Sequence, residues 1–198
     1  MTSTEGFLEL VAGRRGHFLL ESGHHASRWL DLDGLFAEPR RINPFVSALA
    51  DRLRLHHVSV VCGPLRGGAF LAQGVATLLG AHFAFTERVM PAAPDGLYSA
   101  RYLLPKPLDA YVRGARVAMV DDVMSAGSAL RGTWQELQSH GVVPVVVGAL
   151  LVLGSVGADY FKAAGVPVEA VTRDSFDLWP PETCPLCASG TPLERPAT

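Results

Sequence analysis

At 198 residues the chain can bury one good core, which favours a single domain with trimmings. Its 48% apolar and 18% charged residues exclude a disordered chain, and its net charge of −2 argues against a large nucleic-acid surface, which needs a basic footprint. The three cysteines, Cys62, Cys184 and Cys187, are too few for a disulfide framework.

Residues 3–11 read as a short helix with Phe7, Leu8, Leu10 and Val11 as its apolar surface, ended by Gly13 and Gly16. No basic region precedes an apolar core there, so no secretory signal is expected and a cytoplasmic location follows by default. Residues 17–20 and 29–32 are strand-like, joined through Glu21, Ser22, Gly23, His24 and His25. Ile42, Phe45, Val46, Leu49 and Leu53 then fall at helical spacing, with Pro44 placing the regular start near Asn43.

From residue 58 the pattern alternates. Residues 58–62 form an apolar strand, 67–79 a helix, 82–85 a strand, 117–120 a strand, 128–140 a helix, 143–151 a strand and 166–171 a last strand. The apolar run at 142–156 is broken by Pro144, Gly148 and Gly154, so it reads as a buried strand rather than a membrane span. Short apolar strands alternating with helices predict an α/β fold with a parallel sheet covered on both faces. Ligands of such sheets bind at the carboxyl ends of the strands, so the loops after Cys62 and after Val120 should share one site. Between them, residues 86–113 form a long connection without clear periodicity, which marks a functional or mobile segment.

The most informative stretch is residues 117–129. An apolar strand ends in Asp121 and Asp122, a loop of small residues follows (Met124, Ser125, Ala126, Gly127, Ser128, Ala129), and a helix begins with Leu130, Trp134 and Leu137 on one face. Adjacent carboxylates accept hydrogen bonds from sugar hydroxyls, while free N–H groups and the helix dipole attract a phosphate. No Gly-Lys-Ser/Thr follows and no Gly-x-Gly-x-x-Gly is present, so neither a Walker loop nor a dinucleotide fingerprint is in play. The loop Gly63, Pro64, Leu65, Arg66, Gly67 and Gly68 supplies backbone amides and a guanidinium suited to a pyrophosphate.

The 121–129 segment resembles the phosphoribosyl-pyrophosphate (PRPP) signature of type I phosphoribosyltransferases. The chain from about residue 16 to 171 looks most like the orotate phosphoribosyltransferases. That resemblance implies a type I phosphoribosyltransferase fold, with a hood over the base at about residues 1–40 and a core at about 41–172. Together these make a domain of residues 1–177, followed by a tail of residues 178–198. It implies that orotate and PRPP give orotidine 5′-monophosphate and pyrophosphate, with Mg²⁺ accompanying PRPP. By the same resemblance Asp121 and Asp122 hold the ribose and Ser125 to Ala129 wrap the 5-phosphate. Gly63, Pro64, Leu65, Arg66 and Gly67 meet the pyrophosphate with Arg88, and Ser22, Gly23, Trp29 and Ser155 face the base. Homodimers sharing the loop near Arg88 are typical of the family; no nucleic-acid or membrane partner is implied.

Four departures stand out. Glu21 precedes Ser22 where many orotate enzymes carry Lys, Glu87 stands where Arg is expected, and no Lys or His occurs in the long connection before Lys106. After the 143–151 strand, Leu153, Gly154 and Ser155 replace a region that usually presents Arg. Losing two cations removes charge-assisted hydrogen bonds worth about 1.5–3 kcal/mol each toward the orotate carboxylate, unless His24, His25, Arg28 or Trp29 compensates. Two alternatives follow: a phosphoribosyltransferase for another base, or a non-catalytic PRPP-binding relative. Residues 178–198 hold five prolines and Cys184-Pro185-Leu186-Cys187. The spacing is that of half a zinc knuckle, but a structural zinc takes four ligands. With no second pair in the chain, a full site would need Cys62, histidines or the same pair of a second subunit; the stretch reads as a structural tail and no metal residue is assigned.

Overall fold

The computed structural model describes residues 4–8, 10–32, 34–89 and 97–196. Six strands form the main sheet in the order β5-β4-β3-β6-β7-β8: β3 (Val60–Pro64), β4 (His82–Val89), β5 (Arg101–Leu103), β6 (Val117–Met124), β7 (Val146–Leu153) and β8 (Val168–Asp174). All neighbours pair in parallel except β5, which lies antiparallel on β4 at the edge. Helices α2 (Pro39–Arg54) and α3 (Gly67–Leu79) cover one face; α5 (Ser128–Ser139) and α6 (Val156–Ala163) cover the other. The described residues bear out the α/β expectation.

The two faces explain why the central strands β3, β6 and β7 are buried nearly throughout rather than alternating. On β6, Ala118 and Val120 join Leu49, Leu53 and Val75 beneath α2 and α3. Val117 and Met119 join Leu130, Trp134 and Phe161 beneath α5 and α6. Every second side chain points to each face, and both faces are dry. Each large apolar side chain so removed from water contributes roughly 1.5–3 kcal/mol.

A second, three-stranded antiparallel sheet stands over the carboxyl ends of the main strands. It consists of β1 (Ala12–Leu19), β2 (His25–Asp31) and β9 (Leu178–Trp179), in that order. The hood strands are thus longer than the sequence pattern predicts. Gly13 and Gly16 do not end a helix, because helix α1 covers only Thr4–Leu8; both glycines lie inside β1. The β1–β2 register shifts between Arg15 and Phe18, a bulge that a glycine at 16 accommodates.

Other boundaries moved for local reasons. Helix α2 begins at Pro39, where a proline fits the first turn, and runs through Pro44. The long connection contains β5 and the short helix α4 (Asp109–Val112), because β4 extends four residues beyond Phe85 to pair with β5. A three-residue strand carries too little periodicity to be read from sequence. Helix α6 was likewise not anticipated. The part of the expected flexible loop at residues 90–96 lies outside the described residues. No helix among the described residues is long and apolar enough to cross a membrane.

Candidate active site

Where the hood overhangs the sheet, a cleft of about 1010 Å³ opens, and the loops after β3 and β6 form its floor. Asp121 and Asp122 sit inside β6 rather than beyond it; Asp121 still pairs across to Ala149 of β7. Both are more than nine-tenths buried, yet both line the cleft. The backbone N–H of Asp122 donates to the Asp121 carboxylate at 3.1 Å, and the N–H of Val123 donates to Asp122 at 2.7 Å. Burial, followed by the Asp122 charge and the more distant Glu21, pushes the Asp121 carboxyl well above the ordinary carboxylate range. Such a group gains from any hydroxyl donor or cation entering the cleft.

The two loops are fitted to each other. A Cβ on Gly67 would fall on the Asp122 carboxylate, so only glycine lets helix α3 begin this close to β6. Pro64, Leu65, Arg66 and Gly67 line the cleft, and the Leu65–Arg66 peptide is cis. Gly63 packs behind them against the Gly68 backbone. On the other side, Gly127 takes the position before α5 with φ 74°, and no side chain caps the first turn of that helix. Its N–H groups are available to a ligand, and their dipole favours an anion. Ser125, Gly127, Ser128 and Ala129 line the cleft; Ala126 is buried beneath them.

The hood's side is held by a network that centres on Glu21. Its carboxylate accepts hydrogen bonds from the Tyr102 hydroxyl at 2.8 Å and from the Ser128 hydroxyl at 3.3 Å. It also forms an ion pair with Arg88, Nε to Oε2 at 3.3 Å. Burial, then Glu21, pushes the Tyr102 phenol far up, so it remains a donor across the accessible pH range. Arg88, expected at the pyrophosphate, is therefore tied to Glu21 on the hood. Glu87 is exposed at the rim, while Arg101 and Lys106 are exposed and line no part of the cleft.

Of the residues expected at the base, Ser22 and Trp29 line the cleft, whereas Gly23 and Ser155 do not. Ser155 is displaced because β7 runs on to Leu153, which takes the cleft edge, while Ser155 leads into α6 beside a separate depression. Among the hood cations, His24 bonds the Ser22 hydroxyl at 3.1 Å and meets the Tyr98 ring, and burial lowers its pKa. It is thus a poor partner for a carboxylate. Arg28 is different. It lines the cleft over Phe176, donates through Nη2 to Asp174 at 2.9 Å, and buries its Nε without a hydrogen-bond partner. Tyr102 and Phe176 were not singled out from sequence; neither carries a local motif, and both reach the site from segments far from it in the chain.

The family signature described as "Phosphoribosyl transferase domain" matches residues 41–180. The chain is 33% identical over 184 residues to the orotate phosphoribosyltransferase of Thermotoga maritima, spanning 92% of this chain and 90% of that one. Among solved structures it resembles orotate phosphoribosyltransferase from Aeropyrum pernix, with a TM-score of 0.65 at 21% identity over 87% of this chain and 94% of that one. It also resembles adenine phosphoribosyltransferase from Thermoanaerobacter pseudethanolicus, with a TM-score of 0.67 at 17% identity over 87% and 100%. At those identities the two structures speak for the fold alone.

Proposed function

The chain belongs to the phosphoribosyl transferase domain family, and from that membership we propose that it transfers the 5-phosphoribosyl group of PRPP to orotate. The carrying observation is the cleft that joins two buried carboxylates, an uncapped helix start and a guanidinium beneath a hood. In this reading the domain comprises residues 1–177, with residues 178–198 closing against the hood.

The ribose hydroxyls of PRPP donate to Asp121 and Asp122, which recovers the cost of burying those charges. The 5-phosphate lies at residues 125–129 against the start of α5. The pyrophosphate lies at residues 63–67 with Arg66, and Arg88 meets it by exchanging its Glu21 partner for the anion. Orotate enters under the hood between Trp29 and Phe176, where Arg28 faces its carboxylate; a charge-assisted hydrogen bond there is worth about 1.5–3 kcal/mol. The C1–oxygen bond to pyrophosphate breaks with both electrons leaving on the pyrophosphate. A bond forms from the orotate ring nitrogen to C1, and that nitrogen's proton is released. Positive charge grows on the ribose ring between these events, and Asp121 and Asp122 stand where it develops.

The oxygen donors of Asp121 and Asp122, and the upward shift of Asp121, suit a hard divalent cation such as Mg²⁺. When bound with PRPP, that ion neutralises charge on the departing pyrophosphate. We further propose a cytoplasmic homodimer, for which light scattering at micromolar concentration should give twice the chain mass.

Glu21 favours one competing reading, a different acceptor base, since it sets an acid in the cleft where a carboxylate substrate must enter. The test is product analysis with PRPP, Mg²⁺ and a panel of bases. Orotate should yield orotidine 5′-monophosphate and pyrophosphate. A single product from another base would replace orotate in the assignment, and no turnover with any base at saturating PRPP would leave a PRPP-binding protein without transferase activity.

A further inference from the structure

Four side chains from three distant segments meet on the hood, and none of them lines the cleft: His17 of β1, His25 of β2, and Cys184 and Cys187 around the short helix α7 (Pro185–Ala188). Their ligand atoms all lie within 4.8 Å of one another. Cys184 Sγ is 3.4 Å from His17 Nε2, Cys187 Sγ is 3.7 Å from it, and Cys187 Sγ is 3.3 Å from His25 Nδ1. We propose that these residues form a structural zinc site that fastens the C-terminal segment to the hood.

The ligand set is the first support. Two thiolates and two imidazoles make a closed tetrahedral Cys₂His₂ site, and Cys-x-x-Cys is the usual spacing for one pair. Around a zinc with about 2.3 Å bonds to sulfur and about 2.05 Å bonds to nitrogen, tetrahedral geometry sets sulfur–nitrogen separations near 3.6 Å. The three such distances above cluster about that value. The two ring nitrogens, now 2.9 Å apart, would open to about 3.3 Å.

The outer shell agrees. Nδ1 of His17 lies 2.8 Å from the Thr191 carbonyl, which can only accept, so the proton resides on Nδ1 and the Nε2 lone pair faces the cluster. An imidazole fixed by a backbone carbonyl on its far nitrogen is the arrangement expected of a metal-ligating histidine. Burial is favourable as well, because Zn²⁺ with two thiolates and two neutral imidazoles carries no net charge. His17, His25 and Cys184 are buried, and Cys187 closes the exposed side. Loading releases the two thiol protons to solvent.

The hood also has need of a staple. Phe18 and Ala26 are buried between its strands, yet neither belongs to the two large apolar clusters of the main sheet. Among the described residues, the C-terminal segment otherwise holds to the hood by two pairings of β9 with β2, backbone bonds between Glu194 and the end of β1, and the half-exposed Arg14–Glu194 ion pair. A layer this thin gains stability from a metal cross-link more than a deep core does. The competing description is a metal-free hydrogen-bonded cluster, or a Cys184–Cys187 disulfide.

The experiment uses full-length protein with no affinity tag, purified without added metal. Elemental analysis should find about one zinc per chain. His25→Ala and Cys187→Ser should each lower it to background, while Cys62→Ala, in β3, should retain it. Replacement by Co²⁺ should give the visible bands and thiolate-to-cobalt absorption of a tetrahedral site. A folded wild-type protein with neither zinc nor cobalt bands overturns the proposal. So does zinc that persists in both variants, or a thiol titration revealing a 184–187 disulfide. The cobalt spectrum of the wild type decides the matter even where a variant does not fold.

Discussion

The floor of the cleft and its hood are built by opposite means. On the floor, Asp121, Asp122 and the residues that follow are consecutive, and the loop facing them comes from the adjacent parallel strand. Position there is set by backbone packing: Gly67 admits the Asp122 carboxylate because it has no side chain. Under the hood, position is set by side chains reaching across long sequence separations, such as Tyr102 and Ser128 to Glu21 and Arg28 to Asp174. A backbone-built site tolerates little variation, whereas a side-chain-built one can exchange partners while keeping its shape. Of the departures from the orotate pattern, Glu21 lies within this side-chain network, whereas Glu87 is exposed at the rim and Ser155 lies outside the cleft.

The largest effect should come from the floor. Asp121→Asn is expected to lower kcat/KM by about 100-fold or more, through loss of a charged acceptor worth ~3 kcal/mol at the transition state. The same change should stabilise the ligand-free protein. Burial raises the Asp121 pKa in the folded state, so the unfolded chain ionises first and wild-type stability falls as pH climbs from about 4 through the raised value. The asparagine variant lacks that loss. Its advantage in melting temperature should therefore be absent in acid and grow toward neutral pH; an equal melting temperature at every pH would contradict a buried, high-pKa Asp121.

Next is Arg28, which separates the two regions directly. Arg28→Ala should raise KM for orotate about 10- to 100-fold while leaving KM for PRPP within about twofold, since the guanidinium lies on the hood side. An equal rise in both constants would mean that hood and floor act as one unit. A smaller effect is expected at the joint between them. Tyr102→Phe removes one hydrogen bond to Glu21 and should cost about 1 kcal/mol in urea unfolding. Combined with Glu21→Gln, the two losses should be non-additive if the carboxylate is the hub. The least effect should follow Glu194→Gln. Its ion pair with Arg14 is about half exposed on both sides, so the change in stability should stay within about 0.5 kcal/mol.

By itself the sequence determined the α/β class, the span of α3 and α5, and the strand, acid pair, small-residue loop and helix of residues 117–129. Each of these is a local signal, because apolar run, turn chemistry and helical spacing all lie within a dozen neighbouring residues. Tertiary structure alone decided that Glu21 faces Arg88, that Ser155 turns away while Leu153 lines the cleft, and that β4 extends to capture β5. It also decided that the lone Cys184–Cys187 pair meets His17 and His25. Contacts between residues 67, 81 or 170 positions apart have no period or spacing that marks them, because the main-sheet core between them does the bringing together.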